Sequence, residues 1–183
     1  MIKLRKSDER GTGDQGWLLS RNTFSFGDYY DCACMGAGPL RVINEDWVKP
    51  SMGFGMHEHR EVEIVTWMMS GAMRHEDNLG NSAILQAGDL QRMTAGTGIR
   101  HDERNPSPQA RAHFLQFWME PDYPNLPPSY QRAHFDTCLL HNTLRQVAGG
   151  RPPEGAVTLH LDASLWIGRM DEHAELTHRI EPG

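Results

Sequence analysis

The stretch MHEHREVEIVTWMMSGAMRHEDNLGNSAILQAGDLQRMTAGTGIRHDE, residues 56–103, decides the fold. Short apolar runs alternate in it with Gly, Asn and Asp punctuation, and no period near 3.6 persists over the roughly 11 residues that a helix assignment needs. Residues 61–69, 83–86 and 90–94 have strand length and strand composition. Between them HEDNLGNS (75–82) reads as a polar loop and AGD (87–89) as a tight turn. Outward from this stretch, residues 112–119, 157–161 and 165–170 add three more strand-like runs. Several short strands without helical crossovers predict an all-β sandwich or barrel.

The chain has 183 residues, enough for one complete domain and part of a second. A boundary falls where EPDYPNLPPS (120–129) packs four prolines into ten residues, too many for a ladder strand. The expected organisation is therefore a barrel over 1–120, a Pro-rich linker over 121–140 and a shorter β unit over 141–183. The net charge of -6 and the lack of any long Lys/Arg run argue against direct nucleic-acid binding. The longest apolar run, 64–69, is far too short to span a bilayer, and the first ten residues are polar, so a cytoplasmic location without membrane contact is expected.

Chemistry enters with the histidines. On a strand, alternate side chains share a face, so His57 and His59 in MHEHREVE (56–63) point together from Cα atoms roughly 6.6 Å apart. With 10 His in 183 residues, chance alone supplies about 0.5 such pairs, so this clamp decides nothing by itself. A second clamp at the same spacing, His101 and Glu103 in HDE, does the deciding. The preceding AGTGI (95–99) carries two glycines that permit a sharp bend beside a buried site. Three imidazoles and one carboxylate suit divalent iron, nickel, copper or zinc rather than calcium or magnesium. Glu63 shares parity with His57 and His59 and competes with Glu103 for the carboxylate position; a β-bulge within 60–62 would turn it outward.

The chain resembles the pirin family of cupins over SRNTFSFGDYYD (20–31), PSMGFGMHEHREVE (50–63), RHEDNLGNSAILQAGD (74–89), MTAGTGIRHDE (93–103) and LQFWMEPDYPNLPPSYQ (115–131). The resemblance implies a cupin-type β-barrel, or double-stranded β-helix, and the ligands His57, His59, His101 and Glu103. Thr94 stands where the general cupin motif has proline, which follows the pirin variant. Pirins continue into a second barrel, so residues 141–183 are expected to form a short partial second cupin domain.

Two functional classes follow from the resemblance. One is quercetin 2,3-dioxygenase-type oxygenase chemistry on a flavonol-like aromatic, with Glu103 as the catalytic base and one divalent transition metal, iron(II) foremost, with zinc, nickel, copper and manganese as alternatives. The other is a non-enzymatic, iron-dependent redox-sensing co-regulator that binds a protein partner. A third, blander reading is a metal that only stabilises the fold.

The remaining candidates have plain structural readings. His75 is expected to be solvated in its loop, and His113, His134, His141, His160, His173 and His178 show no paired spacing. Cys32, Cys34 and Cys138 form no C-x-x-C pair and are expected as reduced thiols, the first two buried. Trp67, Phe114, Phe117 and Trp118 read as core, while Phe54 and Met56, flanked by glycines, are candidates for a substrate mouth.

Overall fold

Strands β5 (Glu63–Ser70) and β8 (Asp89–Thr94) sit at the centre of the fold and are buried on both faces over most of their length. That explains the unbroken apolar runs in the sequence: a strand with no solvent face needs no polar alternation. The computed structural model describes residues 4–179. In chain order the other strands are β1 (Gly11–Asp14), β2 (Leu18–Asn22), β3 (Leu40–Val48), β4 (His57–His59), β6 (Ala72–Asp77), β7 (Ser82–Gln86), β9 (Ile99–Arg104), β10 (Ala112–Met119), β11 (Ser129–His134), β12 (Arg145–Gly149), β13 (Val157–Thr158) and β14 (Ser164–Ile167). Helix is confined to two single 3₁₀ turns, Ser7–Glu9 and Thr137–Leu140, among the described residues.

A seven-stranded sheet runs β1-β2-β3-β10-β5-β8-β11, and a four-stranded sheet runs β4-β9-β6-β7. They face one another as the two halves of a cupin barrel. Met68 and Phe114 of the larger sheet pack on Met73 and Leu85 of the smaller, and Ile64 and Met93 pack on Ile99. The outer face of the larger sheet is apolar too. There Val65, Trp67 and Leu90 meet Val147, Ala148, Val157, Leu159 and Leu161 from the C-terminal unit. That unit is a three-stranded sheet of order β13-β12-β14.

Several sequence expectations shift here. Residues 112–119 form β10 as read, but the run at 157–161 is a strand only over Val157–Thr158. The expected linker 121–140 contains β11, which pairs with β8 from Ser129↔Thr94 to His134↔Asp89; the prolines stop just short of it. Residues 75–77 belong to strand β6 rather than to a loop, and His75 has no solvent exposure. Cys32 is exposed and Cys34 intermediate rather than buried, because the turn-rich loop that carries them, residues 23–39, buries none of its residues; Cys138 is exposed as well.

Glycine is required at two close approaches. A Cβ on Gly53 would lie 2.2 Å from the Glu103 carbonyl oxygen, so only glycine lets this segment bridge to Arg104 beside the site. Gly96, with φ 44°, would place a Cβ 1.9 Å from the Leu126 carbonyl oxygen. It is the bend that the AGTGI sequence calls for, and it docks the Pro-rich loop against the entrance to β9.

Candidate metal centre

β4 is three residues long, and its antiparallel pairing with β9 sets His57 opposite His101 and His59 opposite Ile99. Alternation on β9 buries Ile99, His101 and Glu103 on one face. The rings converge: centroids lie 4.3 Å apart for His57 and His101, 4.7 Å for His57 and His59, and 5.0 Å for His59 and His101. One nitrogen from each lies within 4.8 Å of the other two.

Hydrogen bonding selects the nitrogen that His57 offers. His57 Nδ1 is 2.8 Å from the Gly55 carbonyl oxygen, which can only accept, so Nδ1 carries the proton and Nε2 keeps its lone pair. His101 Nε2 is buried and has no hydrogen-bond partner among the described residues. Glu103 Oε1 accepts from Gln91 Nε2 at 2.8 Å, and its Oε2 accepts from Gln116 Nε2 at 3.3 Å. Glu103 lies within 4.8 Å of His101 and His75 as a second grouping, rather than in one set with His57 and His59. All the same, it lines the cavity that His57 and His59 line.

Glu63 does not reach this cluster. No bulge turns it; instead the chain breaks between β4 and β5, with Glu61 at φ 52°. Glu63 shares the outer face of β5 with Val65 and Trp67, where its Oε1 meets His160 Nδ1 at 3.2 Å.

The cavity holds about 250 Å³. Its apolar side is aromatic: Phe26 meets Trp118 edge-on at 5.3 Å, His59 meets the same indole at 4.9 Å, and Phe54 closes the side near His57. Met56, the other candidate for this mouth, is exposed instead. Its polar side is made by Ser20, Asn44 and Asp46, inward positions of β2 and β3. A larger cavity of about 590 Å³ lies between the outer face of the big sheet and β14, but it is lined mainly by apolar groups and lacks convergent chemistry.

A family model described as Pirin matches residues 3–119, the span that contains β1 to β10 and all four nominated ligands. This chain belongs to the pirin family. Among pirin relatives, an Escherichia coli (strain K12) protein named quercetin 2,3-dioxygenase is 39% identical over 180 residues, 98% of this chain and 77% of that one. A pirin-like protein from Caulobacter vibrioides is 45% identical over 135 residues, 74% of this chain and 58% of that one. The structure of the E. coli bacterial pirin YhhW in complex with nickel(II) superposes with a TM-score of 0.84 at 41% identity, covering 91% of this chain and 70% of that one.

Burial governs the electrostatics of this pirin cavity. Desolvation, with His101 and His57 adding their repulsion, pushes His59 down to about 4. Desolvation and the neighbouring His57 and His75 push His101 down to about 3. Both rings are therefore neutral and able to donate a lone pair at neutral pH. Burial pushes the Asp46 carboxyl up to about 7, against the opposing hydrogen bond from the Ser20 hydroxyl.

Sequence reasoning missed His75, Asp77, Gln91, Gln116, Tyr130 and Asp46. The parity of His75 and Asp77 was the available signal, masked by the turn formers that follow. Tyr130 was hidden because its strand begins directly after the prolines.

Proposed function

We propose that this chain is a metal-dependent oxygenase of the quercetin 2,3-dioxygenase type. It would hold one divalent transition metal, iron(II) foremost, through His57, His59, His101 and Glu103, and act on a flavonol-like aromatic. The observation that carries this reading is His101 Nε2, a buried nitrogen without a partner among the described residues, on a ring grouped with two more imidazoles. Leaving such a group unsatisfied costs about 1–3 kcal/mol, which a bound cation would relieve. The donor set, three imidazoles with a carboxylate beside them, fits a borderline divalent metal. The nickel(II) complex of the E. coli relative supports the same metal class.

When bound, the metal supplies Lewis acidity and a template for substrate and dioxygen. The chain supplies the rest. Phe26, Phe54 and Trp118 offer faces and edges to a flat aromatic ring and keep water from it. Ser20, Asn44 and Asp46 offer hydrogen bonds to ring hydroxyls on the opposite side. Gln91 and Gln116 aim the Glu103 carboxylate, which then takes the proton of the substrate hydroxyl as general base.

Oxygen uptake by metal-loaded protein with quercetin in air tests this reading. Turnover well above that of the same metal free in buffer is expected, with its loss in Glu103→Gln. A rate equal to that of free metal would overturn it.

A further inference from the structure

Beside His101, and outside the lining of the cavity, stand two residues of β6. β6 pairs with β9 so that His75 stands opposite Glu103 and Asp77 opposite His101. His75 Nε2 is 3.2 Å from Asp77 Oδ2, and His75 Nδ1 is 3.5 Å from His101 Nδ1. His75 has no solvent exposure, and its ring stacks on Tyr130 with centroids 4.7 Å apart at 19°. The same tyrosine donates its hydroxyl to Gln91 Oε1 at 3.1 Å, and Gln91 donates onward to Glu103.

With both rings neutral, the donors and acceptors admit one consistent assignment along this line. Asp77 already accepts from the backbone N–H groups of Leu79 and Asn81 and from the Asn81 amide, so it faces His75 as an acceptor. His75 Nε2 must then donate, which leaves the Nδ1 of a neutral ring as an acceptor. The group facing that acceptor is His101 Nδ1, which therefore carries the proton. His101 Nε2 is thus left bare; it is buried and has no partner among the described residues, on a ring that belongs to the three-imidazole cluster.

We propose that Asp77 and His75 are positioning residues that fix the tautomer and the ring angle of His101, presenting its Nε2 lone pair to the metal. A ligand histidine usually leans directly on a carboxylate, carbonyl or water. Here the carboxylate acts through an intervening imidazole held flat against Tyr130. The proposal rests on the metal-site reading above but not on oxygenase turnover.

Long-range ¹H–¹⁵N spectra of histidine in the metal-free full chain read the tautomer directly. The expected result is His101 protonated at Nδ1 and His75 at Nε2. In His75→Phe, which keeps a flat ring on Tyr130 but no nitrogen, His101 should lose its fixed tautomer and nickel(II) should bind 10- to 100-fold more weakly. His75→Gln, whose amide can accept from His101 and donate to Asp77, should regain most of that affinity and serves as the test if the Phe variant does not fold.

Three results would overturn the proposal. One is a wild-type His101 protonated at Nε2. Another is a folded His75→Phe chain with wild-type nickel affinity and an unchanged His101 tautomer. The third is a second equivalent of nickel in the wild type that His75→Phe abolishes, which would make His75 a ligand. The expected tautomer without any uptake of nickel would sink the metal-site reading and this role together. The tautomer and nickel binding without quercetin turnover would sink only the oxygenase reading.

Discussion

His57 and His101 stand directly opposite one another on paired strands, their ring centroids 4.3 Å apart. Forty-four positions of sequence separate them, and three backbone pairings of β4 with β9 bring them together. The arrangement predicts that neither ring alone retains the ion. His57→Ala and His101→Ala should each reduce bound metal from about one per chain to a small fraction of that, losing more than the 10- to 100-fold expected of a supporting residue. Elemental analysis of the purified variants checks this, and full occupancy in either would exclude that residue as a ligand.

Proton release on metal binding should be small. With His59 pushed down to about 4 and His101 to about 3, both rings are already neutral at pH 6. Metal binding at that pH should then displace fewer than two protons from the three imidazoles. Calorimetry in buffers of different ionisation enthalpy counts them. Three protons released at pH 6 would show that these rings are not held neutral by the fold.

Asp46 gives the metal-free protein a pH dependence of definite sign. Its carboxyl lies near 7 in the fold against an ordinary value of 3.8 in the unfolded chain, so the folded state holds the proton more tightly. Its favourable contribution is full below about 3.8 and is lost as pH rises to about 7. Asp46→Asn, which cannot ionise, should therefore gain on the wild type across that window, by up to about 4 kcal/mol. Urea unfolding in chelator at pH 5 and pH 8 measures the gain, and an equal difference at both pH values would refute the assignment.

Gly96→Ala should be costly although it adds one methyl group. The residue is at φ 44° and its Cβ would sit 1.9 Å from a backbone oxygen of Leu126. Neither the left-handed backbone nor the carbonyl can yield cheaply, and a loss of about 1–3 kcal/mol is expected. A fall of several degrees in the thermal midpoint is the corresponding readout. Gly80→Ala is the control, since its φ is 90° but nothing lies within 4 Å of the added Cβ.

The sequence made the ligand candidates legible because the strand period is strict: two residues apart means the same face, at 57 and 59 and again at 101 and 103. It was less informative wherever a residue's role depends on its partner across the barrel. Glu63 and Glu103 cannot be told apart by parity, because the break at 60–62 that turns β5 relative to β4 leaves no mark beyond Glu61 in a left-handed conformation. His75 reads as solvated beside Asp77, Asn78 and Gly80, and only the pairing of β6 with β9 shows that it backs His101. The core was legible where apolar runs were continuous. The outer strands β2 and β3 were not, since their inward positions include Ser20, Asn44 and Asp46, which look like solvent-facing residues until a polar cavity is there to receive them.

The central strands are a partition with a room on either side. Thr66, Gln91 and Gln116 face the metal chamber, while Val65, Leu90 and Leu115 on the same strands face the C-terminal unit. Adjacent residues of one backbone are covalently joined, so the C-terminal sheet braces, from the reverse side, the strands whose two glutamines hold Glu103. The chamber's dimensions are thus set partly by what leans on the far side of its wall, in a part of the chain that contributes no atom to the chamber itself.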